Sequence, residues 1–277
     1  MLTPLMKDLL GQQLIDKWFF LRYNDPDFHL RVRLHLKDLA AIGPVISRIN
    51  NAFRAPLDEK KIWKLEFSTY NRELERYYWD NIERTETLFF YDSEFSLSLL
   101  AWLRLNRQPE KVWLYILRSV DALFDAFNIP LTEKLTIVSG MFNSFWLEFG
   151  GDKGVRQQIA KKYRQYYPDI ERVFGDLPPG LEDIFRRRAN KLGTLVFDGY
   201  SHAQVVNLLW SYIHMNVNRL VRSSPRFHEM AIYGLLEKQY SRKVALANQA
   251  LNAGQALNAG QAQNANQRQD AAEALPV

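Results

Sequence analysis

The feature that most constrains this chain is a strict alternation at 28–36, FHLRVRLHL. Phe28, Leu30, Val32, Leu34 and Leu36 fall on one side, and His29, Arg31, Arg33 and His35 on the other. Successive side chains of an extended strand point to opposite faces, so this pattern predicts a strand with one apolar and one cationic face. The preceding run KWFFLRY (17–23) is apolar, aromatic and strand-like. Asn24, Asp25, Pro26 and Asp27 between the two supply turn chemistry. The pair reads as an antiparallel hairpin.

A third strand is expected at 63–70 (WKLEFSTY), and a helix at 37–54 interrupted early by Gly43-Pro44. From about residue 81 the periodicity is helical. The expected helices are 93–106, 109–127, 131–149, 153–166, 180–190, 200–221 and 225–242. They are punctuated by Pro130, Gly150-Gly151, Pro168 and Leu177-Pro178-Pro179-Gly180. The expected class is α+β: a small antiparallel or mixed sheet near the N-terminus, packed on a mostly helical body. Residues 1–242 are read as a single domain. Residues 243–277 hold the repeats QALNAG, QALNAG and QAQNAN, and read as a low-complexity, largely disordered tail.

Composition narrows the function classes. With no cysteine among 277 residues, disulfides, zinc–thiolate sites and thiol nucleophiles are all excluded. A 47% hydrophobic share can build a sizeable core. The net charge of +5 weakly favours an anionic partner, or describes an ordinary soluble surface. The N-terminus lacks the apolar run and cleavage site of a signal peptide, and no stretch suits a membrane span, so a cytoplasmic protein is expected. Dinucleotide, P-loop, zincin and nucleophile-elbow motifs are missing, and neither a metal nor a cofactor is expected. The basic run Arg186-Arg187-Arg188 with Lys191 reads as a solvated helix face, so no direct nucleic-acid contact is expected.

Three constellations could carry chemistry. The first is the cationic strand face. Two arginines and two histidines in consecutive same-face positions make either an exposed or salt-bridged face, or an anion site; arginine's planar fork suits carboxylates. The second is TYNRELERYYWD (69–80). If helical, it puts Arg72 and Arg76 on one side, with Glu73 and Glu75 between them and the aromatics Tyr77, Tyr78 and Trp79 beside them. An amphipathic surface turn and a groove wall are both open readings. The third is SYIHMNVNRLV (211–221), where His214 and Asn218 share a helical face and Arg219 follows. His214 is either a satisfied core histidine or a proton carrier near neutral pH.

Taken together and in order, four blocks resemble one family. WFFLRYNDPDFHLRVRL (18–34) is similar to the aromatic–RY–DP–HLRLR opening of the C-terminal domain of lantibiotic dehydratases, which also occurs alone as the thiopeptide-type bacteriocin biosynthesis protein. TYNRELERYYWD is similar to that family's TYxxExxRYGG segment. LFFYDSEFSL (88–97) is similar to its F-x-x-DS block, and HMNVNRL (214–220) to its HM-x-x-NRL block. The similarity runs from about residue 14 to 240.

The resemblance implies a lyase of lanthipeptide or thiopeptide biosynthesis. It would eliminate glutamate from glutamylated Ser or Thr of a ribosomal precursor peptide, leaving dehydroalanine or dehydrobutyrine. The family's catalytic positions fall on Arg31, Arg33, Arg76 and His214. His29, Arg72, Tyr77, Asn218 and Arg219 are the expected substrate-binding neighbours. The implied roles are glutamate binding for Arg31 and Arg76, charge stabilisation for Arg33 and proton transfer for His214. The implied partners are the precursor peptide and a separate glutamylating dehydratase; a homo-oligomer is also allowed.

One departure stands out. Tyr78 and Trp79 replace the two glycines of RYGG, which predicts a narrower pocket or a reshaped peptide path. The alternatives are a pyridine synthase joining two dehydroalanines by a formal [4+2] cycloaddition, and a non-catalytic precursor-peptide-binding module that uses an exposed sheet edge.

Overall fold

The computed structural model describes residues 2–195 and 197–273, with side chains described to 253 and at 255. The chain opens with α1 (Leu2–Gly11), then β1 (Ile15–Tyr23), β2 (His29–Leu36) and α2 (Ile42–Asp58). A short α3 (Leu74–Tyr77) leads into the helical body: α4 (Ile82–Leu105), α5 (Val112–Ala126), α6 (Leu131–Glu148), α7 (Lys153–Phe174), α8 (Pro179–Leu192), α9 (His202–Leu220) and α10 (Pro225–Glu273). This is the expected α+β arrangement, with β1 and β2 forming a two-stranded antiparallel sheet.

β1 is a wall between two cores, which is why it reads as a continuous apolar run rather than an alternation. Phe19 and Leu21 join the large cluster built by the helical body. Trp18 and Phe20 point the other way, into a smaller cluster with α1 and α2. In β2, Val32, Leu34 and Leu36 pack on that smaller cluster. The pairs Phe19–Arg33, Leu21–Arg31 and Tyr23–His29 lie directly opposite each other. Opposite residues project from the same face, so His29, Arg31 and Arg33 share the face of Phe19, Leu21 and Tyr23.

Several elements differ from expectation. α1 carries no strong local signal, but Leu5, Met6 and Leu9 are buried against the hairpin. The expected third strand does not form: 63–70 has no regular secondary structure and pairs with neither strand. Alternation expresses a preference for extended backbone, and pairing needs a neighbouring edge within reach. α4 starts at Ile82 rather than 93; the buried positions of its first half include Thr85, Glu86, Asp92 and Ser93, so no clean apolar stripe marks it. α7 continues through Pro168, held by the buried Ile170 and Val173 beyond it. The boundary expected at 242 falls inside α10. Core side chains end at Tyr240, while helical backbone continues to Glu273. The expectation for 274–277 lies outside the described residues.

Candidate functional site

A groove of about 1120 Å³ runs along β2. One wall carries His29, Arg31 and Arg33; the other includes Tyr70 and Tyr77, with Met215 of α9 and Glu73 on its border. The guanidinium of Arg31 lies 3.7 Å from the Tyr23 ring centroid, and that of Arg33 lies 4.9 Å from the Tyr70 ring. Among the described residues, neither arginine meets a carboxylate within ion-pair distance. Arg33 Nε is buried and has no hydrogen-bond partner among the described residues. Two half-buried cations stacked on tyrosines, with no carboxylate partner among the described residues, form a preorganised cationic surface.

His29 orients this surface. Its ring stacks on Tyr23 with centroids 5.5 Å apart. Its Nδ1 lies 2.8 Å from the Asp27 carbonyl, which can only accept, so Nδ1 carries the hydrogen. Nε2 is then the acceptor for Arg31 Nε–H at 3.1 Å. The fourth residue of the row, His35, is exposed and paired with Asp16 at 2.6 Å, outside the groove lining.

On α9, Ser211, His214, Met215 and Asn218 share one helical face, and of these Met215 belongs to the groove lining, which includes neither His214 nor Arg76. Ser211 Oγ accepts from Arg76 Nε at 3.2 Å. Arg76 also makes a long 3.5 Å contact with Glu73 and lies over Tyr77. Met215 lines the groove. His214 is half-buried, with Nδ1 2.8 Å from Oε2 of Glu229, a fully buried carboxylate on α10. Tyr233 donates to the same oxygen at 3.3 Å. Donation of Nδ1–H to Glu229 fixes the ring orientation and leaves Nε2 as the nitrogen not engaged by Glu229. Burial pushes the Tyr70 and Tyr77 hydroxyls well above the usual tyrosine range. Burial raises Tyr212 to about 12. These phenols therefore stay protonated near neutral pH and are not bases.

The other expected site residues have different work. Arg72 is engaged by Glu83 at 2.5 Å and Glu86 at 2.8 Å. Asn218 and Arg219, expected at the substrate, hold β1 instead. The Asn218 carboxamide accepts from Arg22 N–H and donates to Arg22 C=O, both at 2.9 Å, as a neighbouring strand would. Arg219 is fully buried. It donates to Phe20 C=O at 3.0 Å and pairs with Asp92 at 3.0 Å. Asp92 also pairs with Arg188 and accepts from Asn216. Ser93 Oγ accepts from Phe20 N–H at 3.2 Å. Burial lowers the pKa of both Arg188 and Arg219, with Asp92 opposing that shift.

Sequence reasoning missed Glu229, Ser211 and this clamp. For the clamp a signal existed: an Asp-Ser pair inside an apolar helical run (88–97) must find buried partners.

Tyr78 and Trp79 do not line the groove. Trp79 is 79% exposed. Tyr78 packs on Tyr200 with ring centroids 5.6 Å apart, at φ +61° and ψ 135°. The backbone at 78 thus keeps a glycine-like conformation although the residue is tyrosine.

Among the described residues, no helix is long and apolar enough to cross a membrane. Among the described residues, no cluster of three or more His, Asp or Glu is placed to hold a metal.

The family model described as "Lantibiotic biosynthesis dehydratase C-term" matches residues 1–240. The chain is 23% identical over 243 residues to the nisin biosynthesis protein NisB of Lactococcus lactis subsp. lactis, covering 80% of this chain and 22% of that protein. It is 24% identical over 208 residues to the subtilin biosynthesis protein SpaB of Bacillus subtilis, covering 73% and 20% respectively. The chain therefore spans about a fifth of the length of these relatives. Its fold is similar to the tRNA-dependent lantibiotic dehydratase MibB from Microbispora sp. 107891, with a TM-score of 0.60, 23% identity, and coverage of 88% of this chain and 26% of that one. It is also similar to TsrL, with a TM-score of 0.57, 14% identity, and coverage of 88% and 89%.

Proposed function

Since this chain belongs to the lantibiotic biosynthesis dehydratase C-terminal family, we propose that it is a lyase that eliminates glutamate from glutamylated Ser or Thr of a precursor peptide. The observation that carries this reading is the carboxylate-free arginine pair in a groove open to solvent.

The reaction needs three things. A base removes the α-proton of the esterified residue, the Cβ–O bond breaks, and glutamate leaves with the bonding electrons. A peptide α-proton is a poor acid, so the developing enolate needs preorganised positive donors. Arg33, with its unpartnered buried Nε, is suited to that task. Arg31 and Arg76 are suited to the glutamyl carboxylates, because their existing partners are weak or neutral. His214 takes the proton through Nε2 while Glu229 fixes its tautomer and ring orientation. The glutamyl ester is the substrate of this step and is formed before it.

The test is incubation of the purified protein with a synthetic glutamyl-Ser or glutamyl-Thr peptide, read by mass spectrometry. Conversion to the dehydro peptide with release of glutamate is expected. An unchanged ester, under conditions where the peptide is shown to bind, refutes elimination.

A further inference from the structure

The two edges of the hairpin are treated in opposite ways. On β1, the outward N–H and C=O groups of Phe20 and Arg22 are met by Ser93, Arg219 and Asn218. In an antiparallel ladder, the residues facing such outward positions also turn their own backbone outward. Phe20 faces Val32, Arg22 faces Leu30, and Trp18, two residues before Phe20, faces Leu34. Leu30, Val32 and Leu34 therefore direct N–H and C=O groups away from β1. No backbone group among the described residues bonds to them there. All three line the groove.

The opposite wall completes the picture. Residues 63–70 read as a strand but adopt no regular secondary structure, and their backbone forms no hydrogen bond with other backbone among the described residues. They line the same groove. Trp63 is 74% and Phe67 54% exposed beside it. Natural proteins blunt free edges with charges, proline, bulges or a covering element. Here the outward backbone belongs to Leu30, Val32 and Leu34, and the charges of the strand, Arg31 and Arg33, are stacked on Tyr23 and Tyr70. The groove also exceeds the roughly 300–1,000 Å³ of ordinary small-molecule sites.

We propose that this groove takes an extended peptide as a strand added to the free edge of β2, between β2 and 63–70. The missing third strand of the sheet is supplied by the ligand. Side chains of an added strand alternate between faces, so every second peptide residue lies on the face of Arg31 and Arg33. The other residues lie toward Leu30, Val32 and Leu34. Placing the glutamyl ester on the arginine face rests on the elimination reading; strand addition itself does not.

Val32→Pro separates the possibilities. The Val32 N–H points away from β1, so proline there removes a donor to the ligand without breaking the hairpin ladder. A displayed library of random linear peptides is enriched on the full chain, and binders are titrated against parent, Val32→Pro and Val32→Ala. We expect binding to weaken roughly tenfold or more for Val32→Pro and little for Val32→Ala. Amide exchange at Leu30, Val32 and Leu34 of the parent should slow at saturation, a readout that holds even if Val32→Pro folds poorly. Failure to enrich any peptide, equal affinity for a folded Val32→Pro, or unprotected edge amides at saturation overturns the proposal. A peptide that protects the edge but keeps its glutamate sinks elimination alone. Glutamate loss with unprotected edge amides sinks strand addition alone.

Discussion

Two pairs of arginines, one in the core behind the hairpin and one on the hairpin itself, are held by opposite means. Arg188 and Arg219 are fully buried, share Asp92, and Arg219 closes the outer edge of β1. Arg31 and Arg33 sit on β2, half-buried, stacked on tyrosines and free of carboxylates. The difference shows how to tell a structural cation from one available to a ligand. Residue type and burial do not decide it, because Arg33 also has a buried nitrogen. What decides it is whether the protein provides the counter-charge.

The comparison can be broken from either side. The largest stability effect is expected for Asp92→Ala. It removes the carboxylate between two buried arginines, and should cost about 3–5 kcal/mol in urea unfolding. A loss under 1 kcal/mol would mean the clamp is not what closes β1. Asn218→Ala strips both partners from the Arg22 backbone and should cost about 1–3 kcal/mol, with faster amide exchange at Arg22. Arg31→Ala removes a cation that no carboxylate holds, so stability should fall by about 1 kcal/mol or less, through lost stacking on Tyr23. A larger loss would move Arg31 into the structural class. Tyr78→Gly relieves a positive-φ tyrosine and removes one aromatic contact. A net gain within about 1 kcal/mol is expected, measured by thermal unfolding.

Much of this contrast was legible in the sequence. Alternation at 28–36 placed Arg31 and Arg33 on one face, and the hairpin formed as expected. The four blocks marked the right segments but did not separate their roles. Asn218 and Arg219 stand beside His214 in the chain, yet helical geometry sends Arg219 into the core and Asn218 to the β1 edge. Glu229 was invisible for another reason. It meets His214 only because α10 packs back onto α9, and no local pattern encodes that contact. The unpaired 63–70 segment shows the limit of alternation, which reports backbone preference and says nothing of the partner.

The most direct test of the account is Arg33→Ala, assayed in parallel for unfolding midpoint and for glutamate loss from the glutamylated peptide. The account predicts an unfolding midpoint close to that of the parent, and elimination slower by about 10²–10³, the usual effect of removing a charge-stabilising donor. A parent-like elimination rate, or a rate loss that merely follows a loss of fold, would contradict it.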